Sequence, residues 1–347
     1  MIRSDGSTVE TMDELLSTHG LSKRFGSRRD RRQGSEVRAV DGVDIVVYKG
    51  ETLGVVGETG SGKTTLGRLL IGLEKPSSGS VVLAGVELSS LSGHQLRDAR
   101  QNIQMIFQDP LGSLDPRWTV RRVLAEPLRA HGIKDSRQVE DQINSLIRRV
   151  GLDATILSRR PIEMSGGQRQ RVGIARALAL HPQLIIADEP VSALDVSVQA
   201  QIVNLLKDLQ RDLGLALVFI AHGLEVVYHI ADRVAVMYLG RVVEIGETAS
   251  LFLSPAHPYT ESLLGAAPRP DPSKRRELKV ISGEIGSASH LPTGCRFHPR
   301  CPNKTEICEV EDPQMQALVD NRWVACHHPL LTGRDSGLLD KQTAESR

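Results

Sequence analysis

The chain has 347 residues, 40% hydrophobic and 24% charged, the balance of a globular protein with room for one large domain and a smaller one. Its 43 Lys and Arg against 42 Asp and Glu leave no global field for nucleic acid or anionic lipid, and 3% aromatic residues are few for a base-stacking surface. No apolar run nears the roughly 20 residues that span a bilayer, and Met1 to Glu14 is polar and carries acids, unlike a secretory leader. These features predict a cytosolic chain, or one held at a membrane only through a partner.

Residues 1–15 read as a tail, and a first strand region ends near Leu21 to Phe25. Arg28, Arg29, Arg31 and Arg32 crowd a stretch whose plain reading is a solvated loop. Val43, Ile45 and Val47 alternate as in a strand and turn through Lys49-Gly50. Leu53-Gly54-Val55-Val56 is then a short apolar run of the buried-strand kind. Directly after it, Gly57-Glu58-Thr59-Gly60-Ser61-Gly62-Lys63-Thr64-Thr65 matches G-x-x-x-x-G-K-S/T, the phosphate-binding loop. Leu66 to Ile71 can continue as a helix, so the motif has the strand–loop–helix context it needs. Its glycines let backbone N–H groups converge on an anion at a helix N-terminus. Lys63 would reach the β- and γ-phosphates, and the Thr64 hydroxyl would hold Mg²⁺.

Beyond the loop, Lys75 to Ser80 marks a turn, and Val81-Val82-Leu83 and Ile103 to Phe107 read as strands. Residues 110–164 turn helical: Val139, Ile143, Leu146, Ile147 and Val150 are spaced as one face of an amphipathic helix. Leu184 to Ala187 and Leu215 to Ile220 are continuous apolar runs, as in buried parallel strands. Val234 to Met237 and Arg241 to Glu244 are shorter strands. The alternation predicts an α/β core with a helical insertion. Pro and turn formers then thicken, which places a boundary near Pro255.

Four further motifs stand at the ends of these elements. Gln108, in Phe107-Gln108-Asp109-Pro110, could ligate Mg²⁺ or orient water; alone it would be an ordinary loop residue. In Met164-Ser165-Gly166-Gly167-Gln168, Ser165 is a good N-cap and the two glycines expose N–H groups, a second anion site without a Lys of its own. Asp188 and Glu189 end a buried strand, where Asp188 would hold the metal through water and Glu189 would accept a proton from the attacking water. Ser192-Ala193-Leu194-Asp195 follows. His222 ends the next strand, placed for a γ-phosphate contact.

In this order the motifs closely resemble an ABC-type ATPase subunit over residues 18–250. Gly57 to Thr64 matches its Walker A loop, Gln108 its Q-loop and Ser165 to Gln168 its signature. Asp188 and Glu189 match Walker B with its catalytic Glu, Ser192 to Asp195 the D-loop and His222 the switch His. Phe25 stands where the family places an aromatic that stacks on adenine. The resemblance implies an α/β P-loop nucleotide-binding domain with a helical subdomain. It implies ATP and Mg²⁺ as ligands, with Lys63, Gln108, Glu189 and His222 as catalytic residues. The signature segment and Asp195 would cap ATP across a head-to-tail pair. A soluble ABC ATPase acting on ribosomes or DNA is the alternative, and a small-molecule P-loop kinase a weaker one that leaves Ser165 to Gln168 and His222 unexplained.

Phe107 to Arg117, Ala187 to Ser197 and His257-Pro258-Tyr259-Thr260 are similar to the oligopeptide/dipeptide-type importers within that family. This implies a second ATPase subunit as a heterodimer partner, two membrane permeases, an external solute-binding protein working through them, and a place at the cytoplasmic face of the membrane. No nucleic-acid partner is expected. The expected layout is a tail (1–15), an ATPase domain (16–254, insertion about 110–164), a Cys-containing extension (255–335) and a second tail (336–347). Met164 replaces the commoner Leu of the signature, and Gly223 stands where the family usually has Asp.

The four cysteines, Cys295, Cys301, Cys308 and Cys326, all follow residue 290. Their spacing fits neither a zinc ribbon nor a simple ferredoxin and leaves open a metal site or four buried thiols. By resemblance, Gly294 to Cys301 belongs to a 4Fe-4S module, with zinc or free thiols as the alternatives.

Overall fold

The computed structural model describes residues 13–26, 36–266, 286, 288–319 and 321–330. The first tail up to residue 12, the Arg28 to Arg32 stretch and the second tail lie outside them.

Strands β1 (Glu14–Phe25), β2 (Val37–Val43) and β3 (Val46–Tyr48) lead into β4 (Thr52–Val56). Helix α1 (Lys63–Leu70) follows the phosphate loop, and β5 (Ser78–Leu83) and β6 (Val86–Glu87) come next. With β1 as hub, β2, β3 and β5 pair antiparallel, and β6 extends that first sheet. Helix α2 (Gly93–Ala99) leads to β7 (Ile103–Ile106), and α3 (Val120–Ala130) and α4 (Ser136–Arg149) form the helical insertion. Thr119 and Asp135 cap these two helices by accepting from the N–H groups of Arg122 and Gln138, each cap worth about 1 kcal/mol. The face of α4 expected from its periodicity is buried: Val139, Ile143, Leu146 and Ile147.

The remaining core alternates strand and helix: α5 (Gly166–Leu178), β8 (Leu184–Asp188), α6 (Val196–Leu213), β9 (Ala216–Ala221), α7 (Leu224–Ile230) and β10 (Arg233–Tyr238). The second sheet runs in the order β7, β8, β9, β4, β10, all parallel. Its strands are buried on both faces, which explains why they read as unbroken apolar runs. In β9, Leu217 and Phe219 face the core shared with α3 to α6, while Val218 and Ile220 face the core shared with α1 and the first sheet. In β8, Ile185 and Ala187 divide from Leu184 and Ile186 in the same way. Helix α1 thus lies between two sheets.

The C-terminal extension continues this sheet. Antiparallel β11 (Arg241–Glu247) follows β10, then come α8 (Thr248–Leu253), α9 (Pro258–Ala266), α10 (Glu306–Val310), β12 (Gln316–Ala317) and β13 (Trp323–Val324). β13 pairs with β11, and β12 with β13, so the order ends β10, β11, β13, β12. The start of the extension is pinned from inside. The buried Glu244 carboxylate accepts from the N–H groups of Ala256 (2.8 Å) and His257 (2.9 Å). Burial pushes the Glu244 pKa up, against those hydrogen bonds. His257, also buried, accepts at Nδ1 from the Tyr259 N–H at 3.0 Å.

Burial drives the His257 pKa down to about 3 from its ordinary 6.5. The unfolded chain therefore binds a proton that the folded chain refuses, and stability falls as pH drops below 6.5 toward 3. Replacing His257 by Asn, which can accept the same N–H, should flatten that slope. Urea unfolding at a series of pH values checks this, the wild type losing up to about 1.4 kcal/mol more per pH unit within the window.

Candidate functional site

The register of the parallel strands builds the site. Val56 of β4 pairs with Ala221 of β9, and Ile220 of β9 with Asp188 of β8. Three carboxyl ends therefore lie side by side, the place where open α/β sheets bind ligands. Gly57 to Gly62 leave the first end, Glu189 extends the third, and His222 follows the second.

The phosphate loop is fitted closely against its neighbours. Gly62 caps α1 at φ 102°, and a Cβ there would stand 2.0 Å from the Ala39 carbonyl oxygen. Glycine satisfies both constraints at once. Buried Lys63 folds back and donates from Nζ to the carbonyls of Gly57 (2.7 Å) and Glu58 (3.0 Å). Burial lowers its pKa, opposed by Glu189, Asp188 and Glu58.

The expected acids meet this loop. Thr64 Oγ1 donates to Asp188 Oδ1 at 3.1 Å. Asp188 is buried, and desolvation raises its pKa. Two adjacent oxygen donors, one on a desolvated carboxylate, suit a hard dication such as Mg²⁺. Glu189 sits at φ 46°, the sparsely populated left-handed region. Its N–H donates to the Ile220 carbonyl at 3.0 Å, and its carboxylate holds two of the expected residues. Gln108 Nε2 donates to Oε2 at 2.7 Å, and His222 Nε2 lies 2.5 Å from Oε1. Burial, then Lys63, lowers the His222 pKa against the pull of Glu189.

Lys63, Thr64, Gln108, Asp188, Glu189 and His222 are thus one connected constellation. Other expected residues stand apart from it. Ser165 accepts from the Gln168 N–H (3.3 Å) while Gln168 Oε1 accepts from the Ser165 N–H (3.0 Å), a reciprocal cap that occupies both side chains at the start of α5. Gly166 and Gly167 pack toward Leu194 and Val198, which ties the signature segment to the D-loop. Asp195 is exposed at the start of α6. Phe25 is 40% exposed at the end of β1, with Lys23 Nζ 5.0 Å from its ring centroid. Gly223 precedes α7 with ordinary φ, and a Cβ would meet nothing within 4 Å, so no steric demand explains the missing Asp.

Sequence reasoning missed the partners of Glu58. Its carboxylate is bound by both terminal nitrogens of Arg300, at 2.7 and 2.9 Å, and its N–H donates to the Tyr259 hydroxyl at 2.9 Å. Both partners lie in the extension, more than 200 residues away in sequence.

The four cysteines line one small cavity of about 10 Å³, roughly the room of a single water. Burial pushes the Cys295 thiol up to about 11 and Cys326 up to about 12, and raises Cys301. Four gathered sulfurs are the donor set of an iron–sulfur cluster or of zinc. Among the described residues, however, no group of three or more His, Cys, Asp or Glu side chains is arranged to hold a metal ion. The donors of the expected 4Fe-4S site therefore line one cavity, but they are not arranged as a metal site.

Comparison with known proteins decides the family. The family model "ABC transporter" matches residues 40–192, and "Oligopeptide/dipeptide transporter, C-terminal region" matches 243–308. The chain is 50% identical to a probable peptide ABC transporter ATP-binding protein of Sinorhizobium fredii, covering 91% of this chain and 90% of that one. The chain belongs to the ATP-binding subunits of ABC transporters. It is also 52% identical to the oligopeptide transport ATP-binding protein OppF of Salmonella typhimurium, over 89% of this chain and 94% of that one. Among solved structures it resembles the ATP-binding cassette MJ0796 in a dimeric post-hydrolysis state bound to ADP and Pi, with a TM-score of 0.61 and 26% identity. That match covers 67% of this chain and 99% of the other. This ABC subunit is accordingly an ATPase coupled to transport, using ATP and Mg²⁺. Among the described residues no helix is long and apolar enough to cross a membrane.

Substituting Gly62 by Ala should cost the subunit its ATP affinity, because the new methyl displaces the loop from the Ala39 carbonyl. Equilibrium binding of a fluorescent ATP analogue should weaken by at least about tenfold, while far-UV circular dichroism stays that of the wild type.

Proposed function

We propose that this subunit powers the import of peptides, as one half of a heterodimeric ATPase pair docked on two membrane permeases. The observation that carries the catalytic part is the Glu189 carboxylate, held between Gln108 and His222 and one residue beyond Asp188. Lys63 and Thr64 bind the phosphates and the metal with Asp188 and Gln108; bound Mg²⁺ supplies charge neutralisation on the phosphate oxygens. With nucleotide bound, Gln108 would help hold the metal and His222 would meet the terminal phosphate, both leaving the Glu189 carboxylate they hold here. Their departure frees the Glu189 carboxylate to accept a proton from the attacking water. Phe25 offers its exposed ring to adenine. Ser165, Gly166, Gly167, Gln168 and Asp195, none of them occupied with this chain's own phosphate loop, meet the nucleotide of the paired subunit.

Peptide as the cargo is supported by the matched C-terminal region and by relatives whose names specify oligopeptide transport. The permeases place the subunit at the cytoplasmic face, and an external solute-binding protein delivers the cargo to them. Cys295, Cys301, Cys308 and Cys326, gathered around one cavity, would hold a 4Fe-4S cluster only after rearranging from the arrangement described above.

Replacing Glu189 by Gln should leave MgATP affinity within about threefold of wild type and lower hydrolysis at least a hundredfold, roughly the contribution of a general base. Steady-state turnover together with nucleotide binding checks this, and near-normal turnover would remove Glu189 as the base. Affinity purification under anaerobic conditions should recover a second ATPase and two permeases. Iron and acid-labile sulfide should each approach four per chain; zinc, or neither element, would remove the cluster.

A further inference from the structure

We propose that the C-terminal extension clasps the ATP site, with Arg300 and Tyr259 as positioning residues for the phosphate loop and Arg296 as a second anchor. The first contact is made at the loop itself. Arg300 binds the Glu58 carboxylate with two nitrogens at 2.7 and 2.9 Å, and both side chains are largely shielded, at 6% and 19% exposure. Such a forked pair fixes direction as well as distance. The Tyr259 hydroxyl takes the N–H of the same residue at 2.9 Å. Glu58 in turn offers its carbonyl to Lys63 Nζ at 3.0 Å. Arg300, Glu58 and Lys63 therefore form one continuous chain from the extension to the cation that would meet the phosphates. Without Arg300, an unpaired carboxylate would stand beside that cation and compete with the phosphates for it.

The second contact lies behind the loop. Arg296 donates to the Asp41 carboxylate and to the Leu239 carbonyl. Burial opposes ionisation of Asp41, but Arg296, with Arg241 and Arg38, outweighs it and holds the carboxyl below its ordinary range. Asp41 lies two residues beyond Ala39, whose carbonyl abuts Gly62. The Gly240 N–H, next to Leu239, donates to the Ser61 carbonyl at 2.9 Å. Phe297, between the two arginines, packs on Tyr238 and Tyr259 with ring centroids 5.3 and 5.4 Å away. One segment, Cys295 to Cys301, thus grips the loop from its tip and from its wall.

This inference rests on the phosphate loop being the ATP site. The test measures binding of a fluorescent ATP analogue to the full chain for wild type, Arg300→Ala, Glu58→Gln, the double variant and Arg300→Lys. Each single change should weaken binding about tenfold, the scale of losing one charge-assisted pair. The double variant should be no weaker than the worse single within about twofold, because both remove the same contact. Arg300→Lys should recover part of the loss. In the assembled ATPase, Arg300→Ala should raise the KM for ATP with kcat little changed. If Arg300→Ala does not fold, Glu58→Gln reads the same clasp from the other side. Single variants with wild-type affinity, or losses that multiply in the double variant, would overturn the clasp. Lys63→Ala separates the premise: wild-type binding in that variant would reject the site itself and not the clasp.

Discussion

The in-register pairing of β8, β9 and β4 is the constraint on which the site depends. It sets Asp188, Ile220 and Val55 at one level, so an acid, a histidine and a phosphate loop follow side by side although more than a hundred residues separate the first strand from the others. A slip of one residue would turn Ile186 and Ile220 onto the opposite core and carry the acids away with them. The two cores divide these strands by strict alternation, so such a slip would exchange the side chains of one core for those of the other and spoil the fit of both. Packing therefore specifies the chemistry.

The polar groups gathered there are costly to desolvate, and the structure offsets that cost locally. Asp188 has Thr64, Glu189 has Gln108 and His222, and Lys63 has two carbonyls. Thr64, Gln108 and His222 are also the groups proposed above to meet the nucleotide or its metal, so on that reading ligand binding exchanges one satisfied network for another. That exchange keeps the site from depending on permanently orphaned charges. The unusual backbone at Glu189 belongs to the same economy of position: it places the carboxylate where both partners can reach it.

Much of this was legible in the chain. The apolar runs Leu184 to Ala187 and Leu215 to Ile220 announced buried parallel strands, and the spacing of Val139 to Val150 announced the face of α4. The constellation could be read because each residue stands at the end of such an element. What could not be read was contact between distant segments. Nothing in Glu58 foretells Arg300, since a forked ion pair leaves no local pattern. The gathering of the four thiols was anticipated, but among the described residues they are not arranged to hold a metal ion. Gly223 looked like a loss in the switch region, yet the open space around it shows no local demand for glycine.

The outline of the second sheet has its own consequence. One border is β7, four residues long, and the other is β12, with only two. Short margins give another polypeptide little ladder to extend. A protein crowded against several partners is thereby steered away from fusing with them through main-chain hydrogen bonds. Association is left to side chains on loops and helix ends, contacts that can be made and released with every turnover.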